Sequence, residues 1–173
     1  MFGWWTVLPE SERQQWILTP FVSVGPLHFG MNPIEATAAL GGITTRPQYR
    51  DGRVEMARYQ KAGLTLHYNV DEKLKAVAID ALRGPQVFAD DTALVGRVPS
   101  EIEQWMEKRA ASRDPCEELA YMNAGEPGSR SLGVVVGVQR AGDRLLTRPV
   151  FLPAEAMDDP SHWLPQEAWA IQT

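Results

Sequence analysis

The groups in this chain of 173 residues that are able to do chemistry are three histidines, a run of arginines and a few carboxylates. His28, His67 and His162 are the only histidines, and none has a second histidine or a cysteine at i+2 or i+4 to make a metal-ligand pair on one element. His28 stands between Leu27 and Phe29, and His67 between Leu66 and Tyr68. On a strand, each imidazole then points away from its apolar neighbours. If the two strands are adjacent, His28, His67 and Tyr68 meet near the basic stretch holding Arg46, Arg50 and Arg53, and together they form an anion site.

The other candidates lead to no catalytic motif. Asp90-Asp91 and Asp158-Asp159 are doublets at turn positions, where neighbouring carboxylates diverge and do not form an acid/base pair. Ala124 to Ser131 carries Gly125 and Gly128 but no lysine followed by Ser or Thr, and it precedes a strand where a phosphate loop requires a helix. It reads as a binding-capable loop. Ser129 and Ser131 lack a nucleophile elbow. Cys116 is the single cysteine, so neither a disulfide within the chain nor a cysteine-based zinc site is expected. No cofactor or metal is called for.

Charge divides unevenly along the chain. The net charge is −5, yet residues 1–86 carry nine basic and eight acidic side chains, and residues 87–173 carry eight and fourteen. The acidic second half, with Glu117, Glu118, Asp158 and Asp159, points to a basic protein partner drawn in by electrostatic steering. Nucleic-acid binding, which needs a basic face, is not expected. With 44% apolar and 23% charged residues the chain falls among folded globular proteins. The opening MFGWWTVLPESERQQW does not read as an export signal, and no apolar run approaches a membrane span. With a lone cysteine, that leads to a cytoplasmic expectation and no membrane partner.

The elements that must position these groups follow from local pattern. Trp4 to Leu8 reads as a short strand, and Glu10 to Trp16 as a helical turn ended by Pro20. Asn32-Pro33 caps a helix over Ile34 to Leu40 that ends at Gly41-Gly42. Thr44 to Gly52 is polar and turn-rich. Strands follow over Met56–Gln60, Leu64–Asn69, Leu74–Asp80 and Gln86–Ala89. Pro99 opens a second helix with Ile102, Trp105 and Met106 as its apolar stripe. Leu119–Met122, Leu132–Gln139 and Leu145–Leu152 are then strands, the last two joined around Ala141-Gly142-Asp143.

This order repeats. Gly30, Pro33 and Glu35 superimpose on Gly96, Pro99 and Glu101, and Gly63-Leu64-Thr65-Leu66 corresponds to Gly133-Val134-Val135-Val136. A short helix cannot cover the apolar face of the meander that follows it, so two such units side by side bury what one cannot. The expected fold is α+β: two tandem helix-plus-antiparallel-sheet repeats, residues 21–89 and 90–152, packed as one domain over 1–173. Both helices lie on one face of the sheet and the other face is partly exposed. The tryptophan-rich ends, 1–20 and 153–173, are aromatic extensions that fold back onto the sheet.

Gly25-Pro26-Leu27-His28-Phe29-Gly30-Met31, then Glu35-Ala36 and Leu40-Gly41, then Gly63-Leu64-Thr65-Leu66-His67-Tyr68, resembles the GPxxFGM…E(A/V)…LG…GLxVxY pattern of many small bacterial proteins. In outline it is similar to the helix-plus-sheet repeat of β-lactamase-inhibitor proteins, of the BamE-type outer-membrane assembly lipoprotein and of some polymorphic-toxin immunity proteins. The resemblance implies a fold that binds proteins. The expected function is therefore a non-enzymatic protein-binding module of the immunity or inhibitor kind. The alternative is an anionic small-molecule site, or an enzyme, built on His67 and the Arg46 to Arg58 stretch.

Overall fold

Asn32 and Glu35 start the first helix by a reciprocal bond: Glu35 N donates to Asn32 Oδ1 at 2.8 Å and Asn32 N to Glu35 Oε1 at 3.4 Å. With proline at the first helical position, α1 (Pro33–Ala39) forms despite having only seven residues. The second helix, α2 (Pro99–Ser112), buries Ile102, Met106 and Ala110 at a spacing of four, one stripe along its length. The computed structural model describes residues 3–122 and 124–172 and shows a mixed α+β protein with two sheets.

After α1 come β4 (Arg46–Arg50), β5 (Arg53–Tyr59), β6 (Leu64–Tyr68) and β7 (Leu74–Ile79), each antiparallel to the next. After α2 come β10 (Ala120–Tyr121), β11 (Pro127–Ser129), β12 (Val134–Ala141) and β13 (Arg144–Phe151), again a meander. The two sets join in one eight-stranded sheet of order β10-β11-β12-β13-β7-β6-β5-β4. They meet where β13 pairs with β7 through Val150 with Ala78 and Phe151 with Val77.

Two backbone exchanges recur in the two halves. Gly30 N donates to Leu74 O (2.9 Å) and Leu74 N to Met31 O (2.7 Å); Gly96 N donates to Thr147 O (2.9 Å) and Thr147 N to Arg97 O (2.9 Å). Likewise Asp80 N donates to Gly63 O and Leu152 N to Gly133 O, each at 2.8 Å. Gly63 and Gly133 both have positive φ, and a Cβ on either would collide with backbone, so these turns require glycine.

A second, smaller sheet combines the halves in a way the sequence reading did not foresee. It consists of β1 (Gln15–Thr19), β2 (Ser23–Val24), β3 (Leu27–His28), β8 (Gln86–Ala89) and β9 (Thr92–Ala93), ordered β3-β2-β1-β8-β9. The pair β1 and β8 is parallel. Gln86, fully buried, ties this sheet down: its Nε2 donates to Val95 O and Glu10 Oε1, and its Oε1 accepts from Val87, Leu94 and Val95 N–H. The main core collects Leu18, Val24 and Val87 from this sheet with Ala36, Ile102 and Met106 from the helices. Tyr59, Leu66, Val77, Val136 and Phe151 of the large sheet complete it.

The opposite face of the large sheet is covered at its centre. A 3-10 turn over Ala154–Asp158, then α3 (Pro160–Trp163) and α4 (Gln166–Trp169), pack Ala156, Met157 and Leu164 onto Ala76, Ala78, Val135 and Val150. Trp163 and Trp169 pack against the same cluster. Trp163 Nε1 donates to Lys75 O and Lys75 Nζ to Trp163 O, both at 2.9 Å, with the ammonium 5.6 Å from the ring centroid. A cation over an indole face adds roughly 0.5–2 kcal/mol to such packing. The C-terminal aromatic segment thus lies on the sheet, and the partly exposed face is confined to the β4–β6 end.

Three local expectations are corrected. Trp4 to Leu8 is not a strand; Leu8 N donates to Leu82 O, and β1 is the first strand of the chain's described part. Thr44 to Gly52 contains β4, because pairing with β5 outweighs its polar composition. Ala124 to Ser131 is no open loop: β11 runs through it with Pro127, Gly128 and Ser129 buried.

Candidate functional site

Arg46 and Arg58 are cross-strand partners on β4 and β5. Side chains directly opposite share a face, and like charges placed so repel. The row continues inward through Thr65, Ala78 and Val150, so the two guanidiniums occupy the face that the C-terminal segment leaves open. The adjacent row runs Gln48, Met56, His67, Ala76. On β13, Arg148 faces Gly137 of β12, a partner with no side chain to fill the space beside it.

A polar cavity of about 200 Å³ opens among Arg58, Thr65, Asp80, Gln139, Arg148 and Gln172. Arg148 is only 9% exposed, and its one side-chain hydrogen bond among the described residues is a 3.5 Å reach from Nη1 to Ala168 O. Asp80, the carboxylate on the wall, is already engaged: Oδ2 accepts from Gln139 Nε2 at 2.9 Å, and Oδ1 from Leu82 and Arg83 N–H. Burial pushes Arg148 down to about 10, with Asp80 opposing the shift and Arg58 adding to it. It stays charged at neutral pH.

His67 takes the opposite consequence from the same field. It is 5% exposed, and burial, then Arg148, Lys75 and Arg58, holds its imidazole down to about 3. A general base works best with a pKa near the operating pH, so this imidazole is a neutral buried residue and not an acid–base catalyst.

The other residues singled out in the sequence do not converge here. His28 is exposed on β3 of the smaller sheet, so it does not share a site with His67. Tyr68 lies in the main core, on the helix side, and burial raises its phenol. Arg46, Arg50 and Arg53 are exposed on the β4–β5 hairpin with Tyr49, which is 65% exposed, and Arg50 pairs with Glu55 at 3.2 Å.

Of the four acidic residues, Glu117 and Asp158 face arginines. Glu117 is an internal anchor, accepting from Ser131 N and Oγ with Arg113 at 3.4 Å and Arg109 at 3.8 Å. Burial would raise its pKa, but the Ser131 bonds and the two arginines prevail and lower it. Asp158 lies 3.6 Å from Arg130, and Asp159 2.7 Å from His162. Glu118 is exposed. Asp159, Ser161 and His162 do not form a relay, because the carboxylate and the hydroxyl both meet the same Nδ1.

Sequence reasoning missed Arg148, Lys75 and Asp80. The available signal was an arginine inside the apolar run from Leu145 to Leu152, a charge placed where a strand buries its side chains. A second concavity of about 760 Å³ lies between Trp16, the end of α1 at Leu40 to Ile43, and the segments holding Lys61 and Arg83. Among the described residues no group of three or more His, Cys, Asp and Glu is gathered to hold a metal ion, and no helix is long and apolar enough to cross a membrane. Compared with protein-family models, curated proteins and solved structures, the chain shows no match.

Proposed function

We propose that this chain is a non-enzymatic protein-binding module, of the inhibitor or immunity kind its sequence pattern resembles, that grips an acidic partner through the β4–β5 hairpin. The observation that carries the reading is the direct opposition of Arg46 and Arg58 on an open sheet face. Arg50 and Arg53 add to it, against only Asp51 and Glu55 within the hairpin. Folding places like charges together there, and an acidic surface relieves the repulsion. Exposed Tyr49, opposite Val54 on the same hairpin, adds a residue type that concentrates at binding hot spots. Contact is by side chains: Pro47 removes a main-chain donor from the outer strand, which protects that edge against strand addition. The partner is therefore acidic, in place of the basic one suggested by overall charge, since the hairpin concentrates arginines and Glu117 and Asp158 each already face an arginine.

The test is capture from lysate at low and high salt with the immobilised chain and with the triple variant Arg46→Glu, Arg50→Glu, Arg53→Glu. Arg144→Glu, on the distant β12–β13 hairpin, is the control. Acidic proteins held by the parent and the control but lost by the triple variant support the reading. An unchanged set of captured proteins sinks it.

A further inference from the structure

We propose that the cavity between β5, β6 and β13 is a binding site for one small oxyanion, a carboxylate or phosphate group, with Arg148 at its base and Arg58 beside it. This site shares Arg58 with the hairpin surface above but is built on Arg148, and it does not depend on that reading.

A buried guanidinium costs free energy unless its donors are satisfied and its charge is met. Arg148 is 91% removed from solvent by its 9% exposure, yet among the described residues it has no carboxylate within ion-pair distance and only the long bond to Ala168 O. Its side chain lines the cavity. The neighbouring polar groups cannot supply the missing anion. Gln139 is used at both ends, Nε2 to Asp80 and Oε1 to the Ala81 N–H. Asp80 accepts three bonds already.

Cationic side chains outnumber carboxylates around the cavity. Arg58 and Arg148 line it, Lys75 adds to their effect on nearby His67, and among the described residues Asp80 is the one carboxylate on the wall. An oxyanion would take Arg148 in the fork geometry that guanidinium offers, add Arg58, and find the Thr65 hydroxyl on the same wall. A space of about 200 Å³ admits one such group with a compact body and excludes a large ligand. The Asp80 carboxylate on the wall disfavours higher negative charge, which ranks a carboxylate or singly charged phosphate above a trianion. Gly137 opposite Arg148 keeps the space free of a competing side chain.

The experiment titrates the full chain with sodium acetate, phosphate and sulfate against sodium chloride at matched ionic strength. It reads the melting temperature, calorimetric stoichiometry and the Arg148 Nε–Hε resonance. At least one oxyanion is expected to raise the melting temperature saturably with one site per chain and to shift that resonance. Acetate and phosphate distinguish the carboxylate from the phosphoryl source. Arg148→Met is expected to abolish the response and Arg58→Gln to weaken affinity by roughly tenfold, the share of one charge-assisted contact. No oxyanion effect beyond chloride, or an undiminished response in Arg148→Met, overturns the proposal. Should Arg148→Met fail to fold, an Arg148 resonance that stays fixed during titration of the parent, or an Arg58→Gln affinity equal to the parent's, overturns it instead. The Arg46→Glu, Arg50→Glu, Arg53→Glu variant, which tests the hairpin, is expected to keep its oxyanion response.

Discussion

His67 and Tyr68 are joined by one peptide bond and face different worlds: the imidazole lies on the cationic side of β6, opposite Ala76 and Met56, and the phenol enters the apolar core against the helices. A register irregularity sits between them where β6 meets β7. Both residues carry consequences that a titration or a single methyl-scale change exposes.

The imidazole makes stability depend on pH. Unfolded, His67 takes a proton near 6.5; folded, it resists until about 3. The unfolded chain binds more protons throughout that window, so its contribution is constant above pH 6.5 and stability falls as the pH drops below it. Urea midpoints are expected to register a loss of roughly 1 kcal/mol between pH 6.5 and 5.5. His67→Gln should flatten that interval; an unchanged slope in the variant would remove His67 as its source.

The phenol of Tyr68 is buried with no hydrogen-bond partner among the described residues. An unsatisfied buried hydroxyl costs about 1–3 kcal/mol, so replacing it with hydrogen leaves the packing and removes the cost. Tyr68→Phe is expected to raise the thermal midpoint, by up to about 1 kcal/mol of stability. A clear drop would mean the hydroxyl has a partner.

Gly63 and Gly84 pass so closely that a Cβ on Gly63 would stand 2.3 Å from Gly84 N, and Gly63 also has φ +67°. Gly63→Ala must both strain its backbone and push two segments apart, a loss of about 3 kcal/mol. Gly52 has φ +76° and open space around it, so Gly52→Ala should cost only ~1 kcal/mol. Equal losses in denaturant melts would show that the close approach is not what matters.

Arg13, 6% exposed, donates to three carbonyls, Leu8, Ala81 and Gly84, and so fastens the N-terminal segment to the loop after β7. Arg13→Met is expected to destabilise by about 3 kcal/mol, since these are hydrogen bonds from a charged donor. Arg13→Lys should recover little of it, because one ammonium cannot span the fork. Substantial recovery in urea melts would argue that charge alone suffices.

Arg46→Glu turns the cross-strand repulsion with Arg58 into attraction. The isolated protein is expected to gain ~0.5 kcal/mol at low salt and to lose that gain in concentrated sodium chloride. A variant that binds its partner worse but folds better would separate recognition from stability at this position; no salt-dependent gain would mean the pair does not interact.

The helices, the hairpins and the glycine turns were readable because each rests on local chemistry: a cap at Asn32, prolines at the first turns, and a polar turn between the apolar runs of β6 and β7, although both faces of those strands are buried where alternation implies one wet face. The smaller sheet was not, because its parallel pairing of Gln15 to Ile17 with Gln86 to Phe88 joins segments some seventy residues apart and leaves no local mark. The site was half legible. Arg58 fell within the basic stretch, and His67 was placed on the correct face by alternation, but alternation alone does not say which strand neighbours which. Pairing β7 with β13 is what brings Arg148 beside Asp80 and Arg58, and that contact exists only in the assembled sheet.

The large sheet is best understood as two plates with a short weld. Eight residue pairs join β12 to β13 and five join β6 to β7, but only two cross from β13 to β7. Bending then concentrates along one line, and the turns of Ala154 to Trp169 lie over it as a splint, touching Ala76 and Ala78 on one plate and Val135 and Val150 on the other. Arg148 sits at the weld and reaches the splint at Ala168. The angle between the plates thus rests on two ladder pairs and on the packing of that segment across them.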